Sequence, residues 1–168
     1  MKNLIFYLVV RSMKKTDNCS CKKFADCYDF QHEQRKIVVL SDHKSRTTYR
    51  YTNNRLDYLA RYKIDGGLLT SNDKSKCDYL LINCNKKEAF FIEIKGCDLE
   101  HAAEQILCSI DELYSMLSDL TIHARIVVTR VNTHDLRTPN YCRLQKKICL
   151  LKGSLDKKTG ILEDVNNN

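Results

Sequence analysis

Two apolar runs constrain this chain more than any other feature: residues 77–83 (CDYLLIN) and 89–95 (AFFIEIK), separated by polar Asn85, Lys86 and Lys87. Each run has the length of a strand, and a short polar loop between two such runs predicts an antiparallel hairpin. Both runs are apolar on both faces, so the hairpin must be covered on each side and lie centrally in a sheet. A chain of 168 residues is long enough to supply that cover. It is expected to do so as one domain over residues 1–168.

The flanking segments predict what does the covering. Gly96 breaks the second run and Asp98 can cap a helix. Leu99, Ala102, Ala103, Ile106, Ile110, Leu113 and Leu117 then recur every three or four residues, an apolar stripe along one helix. Residues 36–41 read as a strand, Tyr49 and Tyr51 mark another strand edge, and the Ile- and Val-rich residues 122–131 predict a buried strand. Pro139 can open a short helix through Tyr141, Leu144 and Ile148. Phe24, Cys27, Tyr28 and Gln31 suggest a short helix, so residues 1–35 are expected to form an N-terminal helical region. Residues 36–165 form the expected core, and Asn166 to Asn168 a frayed tail. The fold class is α/β, with a central mixed sheet flanked by helices.

Composition excludes several classes. Hydrophobic residues make up 43% and charged residues 29%, which fits neither a disordered chain nor a membrane protein. The longest apolar run, residues 4–10, is far short of the roughly 20 needed to span a bilayer. It also lacks a small-residue cleavage site, so a cytoplasmic protein with no membrane partner is expected. Nine cysteines, an odd number without a convincing leader, argue for scattered reduced thiols rather than a disulfide framework. Cys19, Cys21 and Cys27 lack the pair spacing of a zinc site. The net charge of +7 divides unevenly, with +8 over residues 1–64, −6 over 65–121 and +5 over 122–168. An acidic centre between basic flanks suits a carboxylate site beside a polyanion-binding surface, although ordinary surface charge clusters in the same way.

The chemistry concentrates on the hairpin. Glu93 and Lys95 point to the same side of a strand, and folding the hairpin about residues 85 and 86 brings Asp78 opposite Glu93. Two adjacent carboxylates repel unless a cation lies between them. Mg2+ is the natural occupant, because it prefers oxygen ligands and retains several waters. Such a cation polarises a phosphoryl oxygen and lowers the pKa of a bound water, while a lysine offsets the developing charge. An E-x-K pattern alone is weak; at the end of a central hairpin whose other arm begins with Asp, it carries more.

IDGG at 64–67, CDYLLIN at 77–83, FFIEIKG at 90–96 and the helix containing HAAEQI at 101–106 together resemble the PD-(D/E)XK nuclease superfamily. The resemblance covers about residues 65–117 and implies a restriction-endonuclease-like core. It implies Asp78, Glu93 and Lys95 as catalytic residues, and Asp78, Glu93 and the Ile94 carbonyl as ligands of Mg2+, for which Mn2+ can substitute. Cys77 stands where the family motif has Pro. Asp65 is either a third carboxylate near the metal or the shaper of its turn. Gln105 is either a polar helix residue near the site or a solvated one. His101 reads as helix surface, and Glu33 occupies the region where some relatives carry an acidic ligand. Arg143, Lys146 and Lys147 are candidates for phosphate contact. The implied activity is phosphodiester hydrolysis of nucleic acid, with DNA the expected polymer and restriction or defence the implied role. The alternatives are a nucleic-acid-binding module of the same fold and an effector subunit that acts only with a partner protein; homodimers are frequent in the fold.

Overall fold

The computed structural model describes residues 21–42, 46–94 and 97–167. At its centre, β5 (Tyr79–Asn83) and β6 (Glu88–Ile94) pair antiparallel, in a register running from Tyr79↔Ile92 to Asn83↔Glu88. Leu80, Leu81, Ile82, Phe91 and Ile92 are wholly buried, as expected of strands covered on both faces. Around the hairpin stand β1 (Tyr28–Glu33), β4 (Leu59–Lys63), β7 (Thr121–Val128) and β8 (Leu155–Thr159). They form a six-stranded sheet in the order β1-β4-β5-β6-β7-β8. A second sheet has the order β2-β3-β9, from β2 (Ile37–Asp42), β3 (Thr47–Asn53) and β9 (Ile161–Asn166).

The pairings β6–β7 and β7–β8 are parallel, which demands crossover connections. Helix α1 (Leu99–Leu117) provides the first. A 3-10 turn (Thr133–Arg137) followed by α2 (Pro139–Leu150) provides the second. Both helices cover the same face. Leu80, Ile82, Ala89 and Phe91 pack beneath them against Ala103, Ile106 and Leu144. On the opposite face Leu81, Phe90 and Ile92 meet Val38, Tyr49, Tyr51 and Leu162 of the small sheet. The described residues therefore form three layers: helices, large mixed sheet, small sheet.

The α/β class, the mixed sheet and the helices flanking it agree with the sequence reading; among the described residues the helices cover one face and the small sheet covers the other. The short helix expected around Phe24 to Gln31 is instead a turn leading into β1. Phe24 and Phe30 enter opposite cores, which one helical stripe cannot do. Cys27 and His32 take φ values of 65° and 56°, and the β1–β4 register slips twice. The remainder of the N-terminal helical region, residues 1–20, lies outside the described residues.

The tail expectation is corrected at Asn166; Asn167 is exposed beyond the strand, and Asn168 lies outside the described residues. Asn166 is 1% exposed and belongs to β9, where its Nδ2 donates to Asn53 Oδ1 at 3.0 Å and to Asp57 Oδ2 at 2.8 Å. Nor are all the cysteines reduced: Cys21 and Cys84 form a disulfide, with Cα atoms 5.1 Å apart across a separation of 63 residues. Among the described residues, no helix is long and apolar enough to cross a membrane.

Candidate functional site

Asp78 precedes β5 and Glu93 is the penultimate residue of β6, so the Tyr79↔Ile92 register sets them opposite each other. Side chains alternate across a strand, and Leu80 and Phe91 face the helices. Asp78 and Glu93 therefore belong to the helical face, at the edge where β6 and β7 end. Two bonds lock them together. The Asp78 amide donates to Glu93 Oε2 at 3.1 Å, and the Ile94 amide donates to Asp78 Oδ2 at 2.8 Å. Each carboxylate accepts a main-chain N–H from the strand that carries the other. Glu93 is 1% exposed and Asp78 half-buried. Burying a carboxylate is costly unless hydrogen bonds or a cation compensate it, so this pair is a costly feature held in place by design of the hairpin.

The segment leading into Asp78 is fastened on two sides. From α1, Gln105 Nε2 donates to the Lys76 carbonyl at 2.7 Å, and Ser109 Oγ accepts the Cys77 amide at 2.9 Å. Ser109 in turn donates to the Gln105 carbonyl at 2.8 Å. From β4, the Ile64 amide donates to the Asp78 carbonyl at 2.9 Å. The chain then turns sharply away at Gly66 and Gly67. Gly66 has φ +67°, and a Cβ on Gly67 would lie 2.2 Å from the Lys63 carbonyl oxygen, so neither position suits a larger residue. Burial, reinforced by the charges of Glu93 and Asp78, raises the Cys77 thiol pKa well above its usual value, so this cysteine is an inert neighbour.

The other sequence candidates separate clearly. Gln105 acts on the backbone before Asp78, a positioning contact. Asp65 is exposed on its turn and pairs with Lys76 at 3.2 Å. Asp98 caps α1, its Oδ1 accepting the His101 amide at 2.9 Å, and His101 lies on the helix surface with Nδ1 3.3 Å from Glu104. Glu33 pairs with Arg35 at 2.8 Å at the end of β1. Arg143 and Lys146 are exposed on α2, whereas Lys147 is taken up by an ion pair with Asp111 of α1. Lys95 lies outside the described residues. Ser109 was not singled out from the sequence, although a signal existed: it occupies a stripe position between Ile106 and Leu113, and a polar residue there must find a partner.

As a donor set, two adjoining carboxylates and the Ile94 main chain offer hard oxygen ligands, which suits Mg2+ rather than a softer metal. Among the described residues, no group of three or more His, Cys, Asp or Glu side chains is arranged to hold a metal ion. A cation here would rest on the Asp78–Glu93 pair, with water filling its other positions. No family model, curated protein or solved structure matches this chain.

Proposed function

We propose that the chain is a Mg2+-dependent nuclease of restriction-endonuclease-like fold that hydrolyses phosphodiester bonds in DNA. The observation that carries this reading is the mutually locked pair of half-buried Asp78 and buried Glu93 at the end of the central hairpin. A merely structural hairpin end is more cheaply built from apolar residues; a site for a hard cation requires carboxylates. In this reading Asp78 and Glu93 hold Mg2+ with the Ile94 carbonyl. The cation supplies Lewis acidity toward a phosphoryl oxygen and an activated water. Lys95, two residues beyond Glu93, offsets charge that develops in the transition state. Gln105 and Ser109 fix the backbone that presents Asp78.

The test incubates purified protein with plasmid, linear and single-stranded DNA and with RNA, with and without Mg2+ or Mn2+. Metal-dependent cleavage of DNA is expected. Glu93→Gln keeps the shape and removes a metal-binding charge, so cutting should fall by orders of magnitude, several kcal/mol of barrier. Lys95→Ala should abolish cutting yet keep the thermal shift with Mn2+ that Glu93→Gln loses. A parent protein that binds DNA tightly but never cuts is a binding module. Variants that cut as well as the parent place the activity elsewhere.

A further inference from the structure

We propose that the connection from β7 into α2, with Arg130 and Arg137, is the surface that grips the phosphate backbone of the DNA beside the Asp78–Glu93 pair; this rests on the nuclease reading. The strand register locates it. Glu93 pairs with Ile126 of β7, and Ile126 pairs with Lys157 of β8, so the three lie in one row of the sheet on the helical face. Arg130 is four residues beyond Ile126 and two beyond the end of β7, so the chain can carry it no more than roughly 13 Å from the row that holds Glu93. That reach spans at most about four phosphates of one DNA strand at roughly 3.4 Å of helix axis each. The chain reaches α2 through the 3-10 turn that carries His134 and Arg137.

The state of the cations leaves those of this segment available. Lys23, Lys74, Lys76 and Lys147 are each paired with a carboxylate. Arg130, His134 and Arg137 are exposed, and among the described residues no ion pair engages them. The acidic residue of the segment, Asp135, is engaged within the turn, its Oδ2 accepting from the Asn132 amide at 2.9 Å and from Asn132 Nδ2 at 3.1 Å. Lys157 extends the track along β8, its ammonium 5.4 Å from the centre of the Tyr141 ring. Arg143 and Lys146, exposed on α2, lie further along the chain from β7 than Arg130 and Arg137.

The experiment measures anisotropy of a fluorescein-labelled DNA duplex at several salt concentrations, with Ca2+ in place of Mg2+ to prevent cutting. Three proteins are compared: the parent, Arg130→Ala with Arg137→Ala, and Arg143→Ala with Lys146→Ala; circular dichroism verifies that each is folded. Loss of two phosphate contacts should flatten the slope of log K against log salt by about 2 in the first variant. Affinity should weaken with it, and the second variant should follow the parent. Equal slopes for parent and first variant, or a flattened slope in the second variant alone, overturn the assignment while leaving the nuclease reading intact. A parent that binds no duplex at any salt overturns both.

Discussion

Ser109→Ala tests whether α1 holds the entry to β5. Ser109 and Cys77 are both 0% exposed, and the serine hydroxyl accepts the Cys77 amide at 2.9 Å. Removing it leaves a buried N–H with no acceptor, which costs about 1–3 kcal/mol. Alanine returns about 0.5 kcal/mol, as the better helix former and by ending the back-bond to Gln105. The net expectation is a loss of about 0.5–2.5 kcal/mol, or roughly 1–10 °C in Tm for a chain of this size. Urea denaturation followed by circular dichroism gives the value directly. The site carries a second readout, because the freed segment is the one that presents Asp78: Mn2+ should bind more weakly to the folded variant. Ser109→Cys keeps a buried polar atom and should lose less on both counts. A variant within about 0.3 kcal/mol of the parent, with unchanged Mn2+ affinity, would show that the Cys77 amide has another partner and that α1 does not position Asp78.

Two further outcomes follow from buried polar groups elsewhere. Burial, with the Arg125 charge nearby, lowers the His123 pKa to about 4; its ring stacks on Phe90 and its Nδ1 lies 2.9 Å from Ser154 Oγ. The unfolded chain binds this proton near pH 6.5 and the folded chain does not. Stability should therefore be complete above pH 6.5 and decline toward pH 4, by at most about 3 kcal/mol; urea midpoints from pH 7 to 5 should fall less steeply in His123→Asn. Asn166→Ala removes two hydrogen bonds from a network around buried Asp57 and should cost about 2 kcal/mol in the same assay, whereas no loss would return residue 166 to a tail.

What the sequence disclosed and what it withheld divide along burial. The hairpin was legible because β5 and β6 are apolar on both faces, and α1 because its stripe repeats at the helical period. Asp78 and Glu93 followed from that hairpin, since an antiparallel register fixes which residues stand opposite. The strands β8 and β9 were not legible. In LDKKTGILEDVN the apolar side chains buried or packed on a core are few, Leu155 and Leu162, and Ile161 and Val165 face solvent. Such edge strands are specified by the partner that receives them: β9 pairs parallel with β3, from over a hundred residues earlier. The turn into β1 was misread for a related reason, since Phe24 and Phe30 divide between two cores that exist only once both sheets have formed. The Cys21–Cys84 disulfide likewise depends on the tertiary fold, as its separation of 63 residues suggests no pairing in advance.

The topology also explains why the chemistry gathers at one edge. With β6, β7 and β8 parallel, both crossovers start from the same end of the sheet, so the connections carrying Asp98, Arg130 and Arg137 leave the strands together. The antiparallel neighbour β5 begins where β6 ends, which delivers Asp78 to that edge, and the close of β4 delivers the Ile64 amide that holds it. Helix α1 begins five residues after Ile94 and sends its first turn, with the positive end of its dipole, to the edge that holds the two carboxylates. At the opposite end, β6 starts from the Lys86–Lys87 turn, and basic residues lie there too. No carboxylates face each other across a strand pair at that end of the hairpin, where Asn83 stands opposite Glu88. Positive charge alone thus fails to distinguish the two ends; the paired carboxylates do.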